Sequence, residues 1–277
     1  MKRILVAIDS SAVSGDVLRA TVDLASAVRA HVSLLHVVEG AGDAYESGEA
    51  LLSAARAQLD ELTAGAPASG VEILQPARGI AWQGICESAR TCDADLVSIG
   101  AHGYGPFERV LGTTAAKVVN HCGRSVLVVR RWRGPPRRML VALDDSERKE
   151  VVRDYAVLLA RRTNGRLRLF RSVDMPSVVP ADMLQQYPTI EEALRQAAAR
   201  ALGEEARLVP PELLDGVGAE HGAKAWPTIC AAARDYDADL VVMGSHGFGL
   251  VDRLLGTTAA RVVNHADRSV LVVKRPW

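Results

Sequence analysis

Residues 81–131 of this chain match residues 225–275 without a gap, and 33 of those 51 positions are identical. AWQGICESAR answers to AWPTICAAAR, DADLVSIGAHGYG to DADLVVMGSHGFG, and LGTTAAKVVNHCGRSVLVV to LGTTAARVVNHADRSVLVV. Agreement on that scale is beyond chance. The chain is an internal duplication, and the two halves must share a fold. The starts correspond as well, RILVAIDSS at 3–11 with RMLVALDDS at 138–146. The offset is 135 at the starts and 144 at the matched ends, so the second half carries nine more residues between them, expected within 174–215. The segment RRWRGPPRR, residues 130–138, reads as a connector because of its Gly-Pro-Pro and its dense positive charge. The expected division is a first domain over 1–133, a linker over 134–137 and a second domain over 138–277. Halves of this length are ordinary for single domains.

Within the first half, Ile4 to Ile8 is a continuous apolar run with polar neighbours, which suits a buried strand. The spacing of Val17, Leu18, Val22, Leu24, Ala25 and Val28 predicts a helix over 16–29. Further strands are expected at 32–38, 71–75, 96–99 and 126–129, and further helices at 50–62, 84–90 and 114–121. Strands alternating with helices imply a parallel sheet covered on both faces. The predicted fold class is therefore α/β, as two tandem five-stranded parallel-sheet sandwiches. Ligands of such sheets sit beyond the carboxyl ends of the strands, where the strand order switches. Asp9, the segment Val37 to Glu39, and the segment Gly100 to Gly105 are expected there.

Composition narrows the function. Lys plus Arg balance Asp plus Glu, 33 against 33, and aromatics make up only 4%. Neither an anionic membrane nor nucleic acid is suggested as a partner. No stretch approaches the roughly 20 apolar residues of a membrane helix, and the opening MKRILVAID is too short an apolar run for a signal peptide. The cytoplasm is the expected compartment. Cys86, Cys92, Cys122 and Cys230 form no CxxC pair and are read as free thiols.

The site-bearing motif follows the fourth strand. Gly100, His102 and Gly103 come first, then eight residues, then Gly112, Thr113 and Thr114 opening a helix. The second half repeats it as Gly244, His246 and Gly247, then Gly256, Thr257 and Thr258. The pattern suits phosphate. Glycines let backbone approach closely, successive N–H groups form an anion-binding nest, and a helix start adds unpaired donors. Thr113 or Thr114 can cap the helix or bond the phosphate. Strand-to-helix punctuation is the plainer alternative for either copy alone.

These motifs, with the opening ILVAIDSS, a second strand ending in HVVE and the terminal SVLVV, resemble the universal stress proteins across essentially the whole chain, as two tandem domains. The resemblance implies a five-stranded α/β fold of the adenine nucleotide alpha hydrolase-like, Rossmann-like kind, with ATP bound in the nucleotide-binding members. Carried over, it implies contacts from Asp9, Val37, Gly100, Gly103, Gly112 and Thr113 in the first half. In the second it implies Asp144, Gly244, Gly247, Gly256 and Thr257. Two departures stand out. Both halves have eight residues between the second and third glycines rather than nine. In the second half LFRSVD puts Arg171 and Ser172 where the first has His36 and Val37, which makes the first half the better nucleotide candidate. The resemblance also implies association through the fifth strand, here between the two halves of one chain as a pseudo-dimer, with further homo-oligomers left open.

Other residues have two readings. Asp9 and Asp144 could help hold Mg²⁺ with a nucleotide, or cap a turn. His102 and His246 could serve phosphate or act as an acid, with a plain loop role preferred. Arg109 and Arg253 could reach phosphate or pair on a solvated turn. His121 and His265 suit helix C-termini, and Trp82 and Trp226 suit packing. No P-loop lysine, Ser-His-Asp order or zinc-like spacing is visible. The expected function is a soluble ATP-binding regulatory or stress-response protein with little or no catalysis. A slow ATP hydrolase, an adenylyl-transfer enzyme, and a module for another small ligand are the alternatives.

Overall fold

The computed structural model describes residues 1–39, 45–64, 71–101, 111–146, 148–174, 187–222, 224–245 and 256–274. The first half contains β1 (Arg3–Ile8), α1 (Ser14–Val28), β2 (His31–Val38), α2 (Tyr45–Ala64), β3 (Val71–Ile73), β4 (Ala77–Arg78), α3 (Ala81–Thr91), β5 (Leu96–Gly100), α4 (Thr113–His121) and β6 (Ser125–Val129). The second contains β7 (Arg138–Ala142), α5 (Lys149–Thr163), β8 (Arg166–Asp174), α6 (Tyr187–Arg207), β9 (Leu214–Gly222), α7 (Ala225–Asp235), β10 (Leu240–Gly244), α8 (Thr257–His265) and β11 (Ser269–Val273).

Among the described residues all strands join one sheet in the order β3-β2-β1-β5-β6-β11-β10-β7-β8-β9, with β4 beside the end of β2. Pairing is parallel within each half. Where the halves meet, β6 and β11 run antiparallel, with Val126 opposite Val272, Leu127 opposite Leu271 and Val128 opposite Val270. The sheets of the two halves join through β6 and β11, the last strand of each half. One point differs from the sequence expectation: among the described residues the first half has a sixth, two-residue strand. Too short to show a period, β4 is set by its register with Val37 and Val38.

Alternation along each strand separates two cores. Ile4, Val6 and Ile8 of β1 face one side with Leu127, Met139 and Leu271. Leu5 and Ala7 face the other with Val126, Leu140 and Val272. The first side is covered by α1, α2, α5 and α6, the second by α3, α4, α7 and α8. Each core runs through both halves. The amino ends of the sheet are pinned twice by the same device. Asp95 Oδ2 accepts the N–H groups of Lys2 and Arg3, and Asp239 Oδ2 accepts those of Arg137 and Arg138. Trp82 packs on His121 at 5.0 Å and Trp226 on His265 at 4.5 Å, so these pairs close α3 on α4 and α7 on α8.

The junction between halves is reciprocal. Arg130, just past β6, donates from Nη2 to the carbonyls of Val263 (3.0 Å) and Asn264 (3.2 Å) at the end of α8. Lys274, just past β11, donates from Nζ to the carbonyls of Val119 and Cys122 at 2.6 Å. Each half thus caps the other's helix C-terminus with a cation, where unpaired carbonyls and the helix dipole favour positive charge. The N–H of Arg130 donates to Ser269 Oγ and that of Lys274 to Ser125 Oγ, both at 3.1 Å. Leu271 is 1% exposed on this ladder. Leu271→Ala is expected to cost about 2–5 kcal/mol by removing packed methyl groups that the ladder cannot refill. A urea titration monitored by circular dichroism measures the fall in midpoint.

Candidate functional site

In the first half β1 has β2 on one side and β5 on the other, so the strand order switches between β1 and β5. Crossovers on opposite faces diverge there and leave a crevice at the carboxyl ends. A cavity of about 870 Å³ occupies that crevice, within the range of roughly 300–1,000 Å³ usual for small-molecule sites. Asp9, Val37, Gly100, Gly112, Thr113 and Thr114 all line it. The sequence had marked these six from three separate segments. His102, Gly103 and Arg109 lie outside the described residues, as do His246, Gly247 and Arg253 of the second half.

One residue closes the base of the glycine loop. The N–H of Ala101 donates to the Val129 carbonyl at 3.0 Å, while its own carbonyl accepts the N–H of Gly112 at 2.9 Å. The N–H of Gly112 is therefore spent on the loop. The first bond of α4 runs from Ala116 N–H to the Gly112 carbonyl. Helix geometry leaves the N–H groups of Thr113, Thr114 and Ala115 without an intrahelical acceptor. The N-cap is Gly112, which has no side chain to cap with. Thr113 and Thr114 are helical residues rather than caps, which corrects the capping alternative. Three donors and the positive end of α4 thus meet the cavity, an arrangement suited to an anion.

The opposite wall is polar and carries two carboxylates, Asp9 and Glu39, with no lysine or arginine among the described lining residues. Asp9 Oδ1 accepts the Ser11 N–H at 3.0 Å and the Ser14 hydroxyl at 3.1 Å, a turn that links β1 to α1. Gln58, from α2, donates to the Asp9 carbonyl at 2.9 Å, and the Ser10 hydroxyl donates back to Gln58 Oε1 at 3.2 Å. Glu39 accepts the N–H of Ala81 at 2.8 Å and so caps α3. His36, on β2, is 7% exposed and lines the cavity, and its Nδ1 has no hydrogen-bond partner. A buried ring nitrogen left unpaired is costly in a folded protein, so it marks a place for a polar ligand atom or water.

Gln58 and Ser14 were not among the residues marked from sequence, whereas Glu39 lay in the segment Val37 to Glu39 expected at this end of the sheet and His36 was noted only as the counterpart of Arg171. His36 did leave a signal, being a polar residue inside the apolar run VSLLHVV. Gln58 left none, because it reaches Asp9 across 49 residues of chain.

The second half keeps the backbone of this site and changes its wall. Asp144 Oδ1 accepts the Ser146 N–H at 3.0 Å, as Asp9 accepts that of Ser11. Gly244 ends β10, and Gly256 precedes α8, with Thr257 and Thr258 in its first turn. The Gly256 N–H donates to the Ser245 carbonyl at 2.7 Å. Parallel register places Arg171 where the first half has His36. Its guanidinium forms a two-pronged ion pair with Asp145, which stands in the position of Ser10. Lys149, in the position of Ser14, pairs with Glu205 at 3.0 Å.

Burial pushes the His36 pKa below its ordinary value, and the charge of Asp9 and a hydrogen bond between the ring and Gln58 oppose this without cancelling it. Folding thus keeps His36 neutral where the unfolded chain would protonate it. Its contribution to stability is complete above about pH 6.5 and is lost as the pH falls through the window below. His36→Asn, with no such proton to take up, is expected to show a smaller drop in Tm between pH 7.5 and 5.5 than the parent protein. Thermal melts across that range test it.

Comparison with known proteins agrees with this architecture. The model of the universal stress protein family matches the chain twice, over residues 1–130 and 136–274. Universal stress protein Sll1388 of Synechocystis is 30% identical over 155 residues, which is 50% of this chain and 97% of that protein. A universal stress protein of Mycolicibacterium smegmatis is 27% identical over 290 residues, 98% of this chain and 96% of the relative. The crystal structure of a universal stress protein from Archaeoglobus fulgidus superposes with a TM-score of 0.73 at 21% identity, covering 99% of this chain and 98% of that one. Two matches to one family model, together spanning nearly every residue, establish that this chain belongs to the universal stress protein family.

Proposed function

We propose that this chain is an ATP-binding regulatory protein with little or no turnover, acting in a stress response in the cytoplasm. The observation that carries the reading is the pairing of an uncapped helix start with a buried, unpartnered His36 Nδ1 across one cavity. The N–H groups of Thr113, Thr114 and Ala115 supply donors for phosphate oxygens. Val37, Val38 and Ile85 supply apolar surface for a purine, and His36 supplies a polar contact at its edge. Gly100 and, in the glycine loop, His102 and Gly103 complete the phosphate side in this reading.

The proposed roles of Asp9 are to hold the turn after β1 and to meet a Mg²⁺ ion carried by the nucleotide. Its Oδ1 is engaged by Ser11 and Ser14, and among the described residues no three His, Cys, Asp or Glu side chains gather as a metal site. Mg²⁺ would arrive on the phosphates, with Asp9 as its partner on the protein. A nucleophile, a base and an orienting third group within reach of one another would favour an enzyme. The polar groups around Asp9 serve the turn instead. No helix among the described residues is long and apolar enough to cross a membrane.

Equilibrium binding of ATP by calorimetry, followed by timed nucleotide analysis, separates the possibilities. Saturable binding with negligible product is expected. Steady product release abolished by Asp9→Ala would instead mark an ATP hydrolase, and absence of binding would mark a site for another ligand. Gly103→Val, which adds a branched side chain where the loop must approach phosphate, is expected to weaken ATP at least about tenfold, or ~1.4 kcal/mol. An unchanged affinity would overturn the assignment of the phosphates.

A further inference from the structure

The halves share their phosphate-side backbone, but they differ on the wall that would meet the rest of a nucleotide. In the first half the gap between the carboxyl ends of β1 and β2 is bordered by Ser10, Ser14, His36 and Gln58, and it opens into the cavity. In the second half the same gap is spanned by Arg171 from β8 and Asp145 from the turn after β7. The two-pronged pair satisfies the guanidinium and the carboxylate together. Separating them to admit a ligand would leave two charges unpaired. Beside it, Glu205 of α6 is held by Lys149 at 3.0 Å and by Arg153 at 2.6 Å, which ties α5 to α6 over the same end of the sheet. The corresponding residues of α1, Ser14 and Leu18, carry no charge.

The second half also reaches into the first. The N–H of Leu111, the last residue before Gly112, donates to Asn264 Oδ1 at 2.9 Å. Asn264 sits at the end of α8, and its own carbonyl accepts from Arg130 of the first half at 3.2 Å. One residue of the second half is therefore held at its carbonyl by the first half, while its side chain fixes the peptide where the glycine loop enters α4. The bond crosses 153 residues of chain. Next to it, the N–H of Gly112 donates to the Ala101 carbonyl at 2.9 Å.

We infer that the chain holds one nucleotide rather than two, in its N-terminal half, and that the C-terminal half serves that site through Asn264 as a positioning residue for the phosphate loop. The inference rests on the nucleotide reading above and adds stoichiometry and a division of labour between the halves. Asn264 touches no ligand. It acts by holding Leu111, so its effect must fall on phosphate contacts and spare the base.

Calorimetric titration of the full chain with ATP tests the first part. One equivalent per chain is expected. Two equivalents would overturn this inference and leave the nucleotide reading standing, whereas no binding would overturn both. Asn264→Ala tests the second part, with ATP and adenosine titrated side by side. Loss of one hydrogen bond predicts an ATP affinity roughly three- to tenfold weaker, with adenosine affinity unchanged. Equal weakening of both ligands would mean that the junction had simply loosened, and an unchanged ATP affinity would mean that the Leu111 bond holds nothing the ligand needs. Either result would overturn the positioning role.

Discussion

The antiparallel ladder between β6 and β11 is the contact on which the rest of this molecule is arranged. Parallel strands need long crossovers, and a parallel sheet must be covered on both faces. A half standing alone would leave β6, with its apolar run Val126–Val129, as an exposed edge, a form that invites pairing with another chain. Here the edge of each half is consumed by the other. Both hydrophobic cores then run unbroken from one half into the next, with Leu127 and Leu271 on one face and Val126, Val128, Val270 and Val272 on the other. The reciprocal caps from Arg130 and Lys274 follow from this geometry, because the residue just past each central strand falls beside the last turn of the other half's helix.

The same junction explains how a site in one half can feel the other. The end of α8 lies against the entry to α4, so a single amide side chain bridges the two. In the proposed nucleotide reading the phosphates are met mainly by backbone donors, and backbone donors are only as well aimed as the turns that carry them. Ala101 aims one side of the glycine loop through its two bonds, and Asn264 aims the other. The duplication therefore supplies more than a second copy. It provides a fixed neighbour against which the first copy's loop can be braced.

Divergence between the copies is concentrated where side chains, not backbone, would recognise a ligand. Asp9 and Asp144 make the same turn, and Gly112 and Gly256 precede the same helix start. His36 and Arg171 stand in one register position and do opposite things. The first is buried with a nitrogen unsatisfied, while the second is satisfied by Asp145. A free polar atom in a cavity and an ion pair closing a gap are the two ends of what one position can do.

Much of this was legible in the chain itself. The gapless match of 51 positions required two copies of one fold, and the alternation of apolar runs with helical periods required a parallel α/β sheet, because strand and helix periods are local properties of consecutive residues. The glycine pattern located the loop and the helix start for the same reason. What tertiary structure alone decided depends on residues far apart in sequence. Among these are the antiparallel sense and register of the β6–β11 ladder, the addition of β4 by register with β2, the reach of Gln58 to Asp9, the Arg171–Asp145 pair, and the bond from Leu111 to Asn264. No local pattern records such contacts, since each is made only when crossovers and the central ladder bring separate segments within hydrogen-bond distance, about 3 Å.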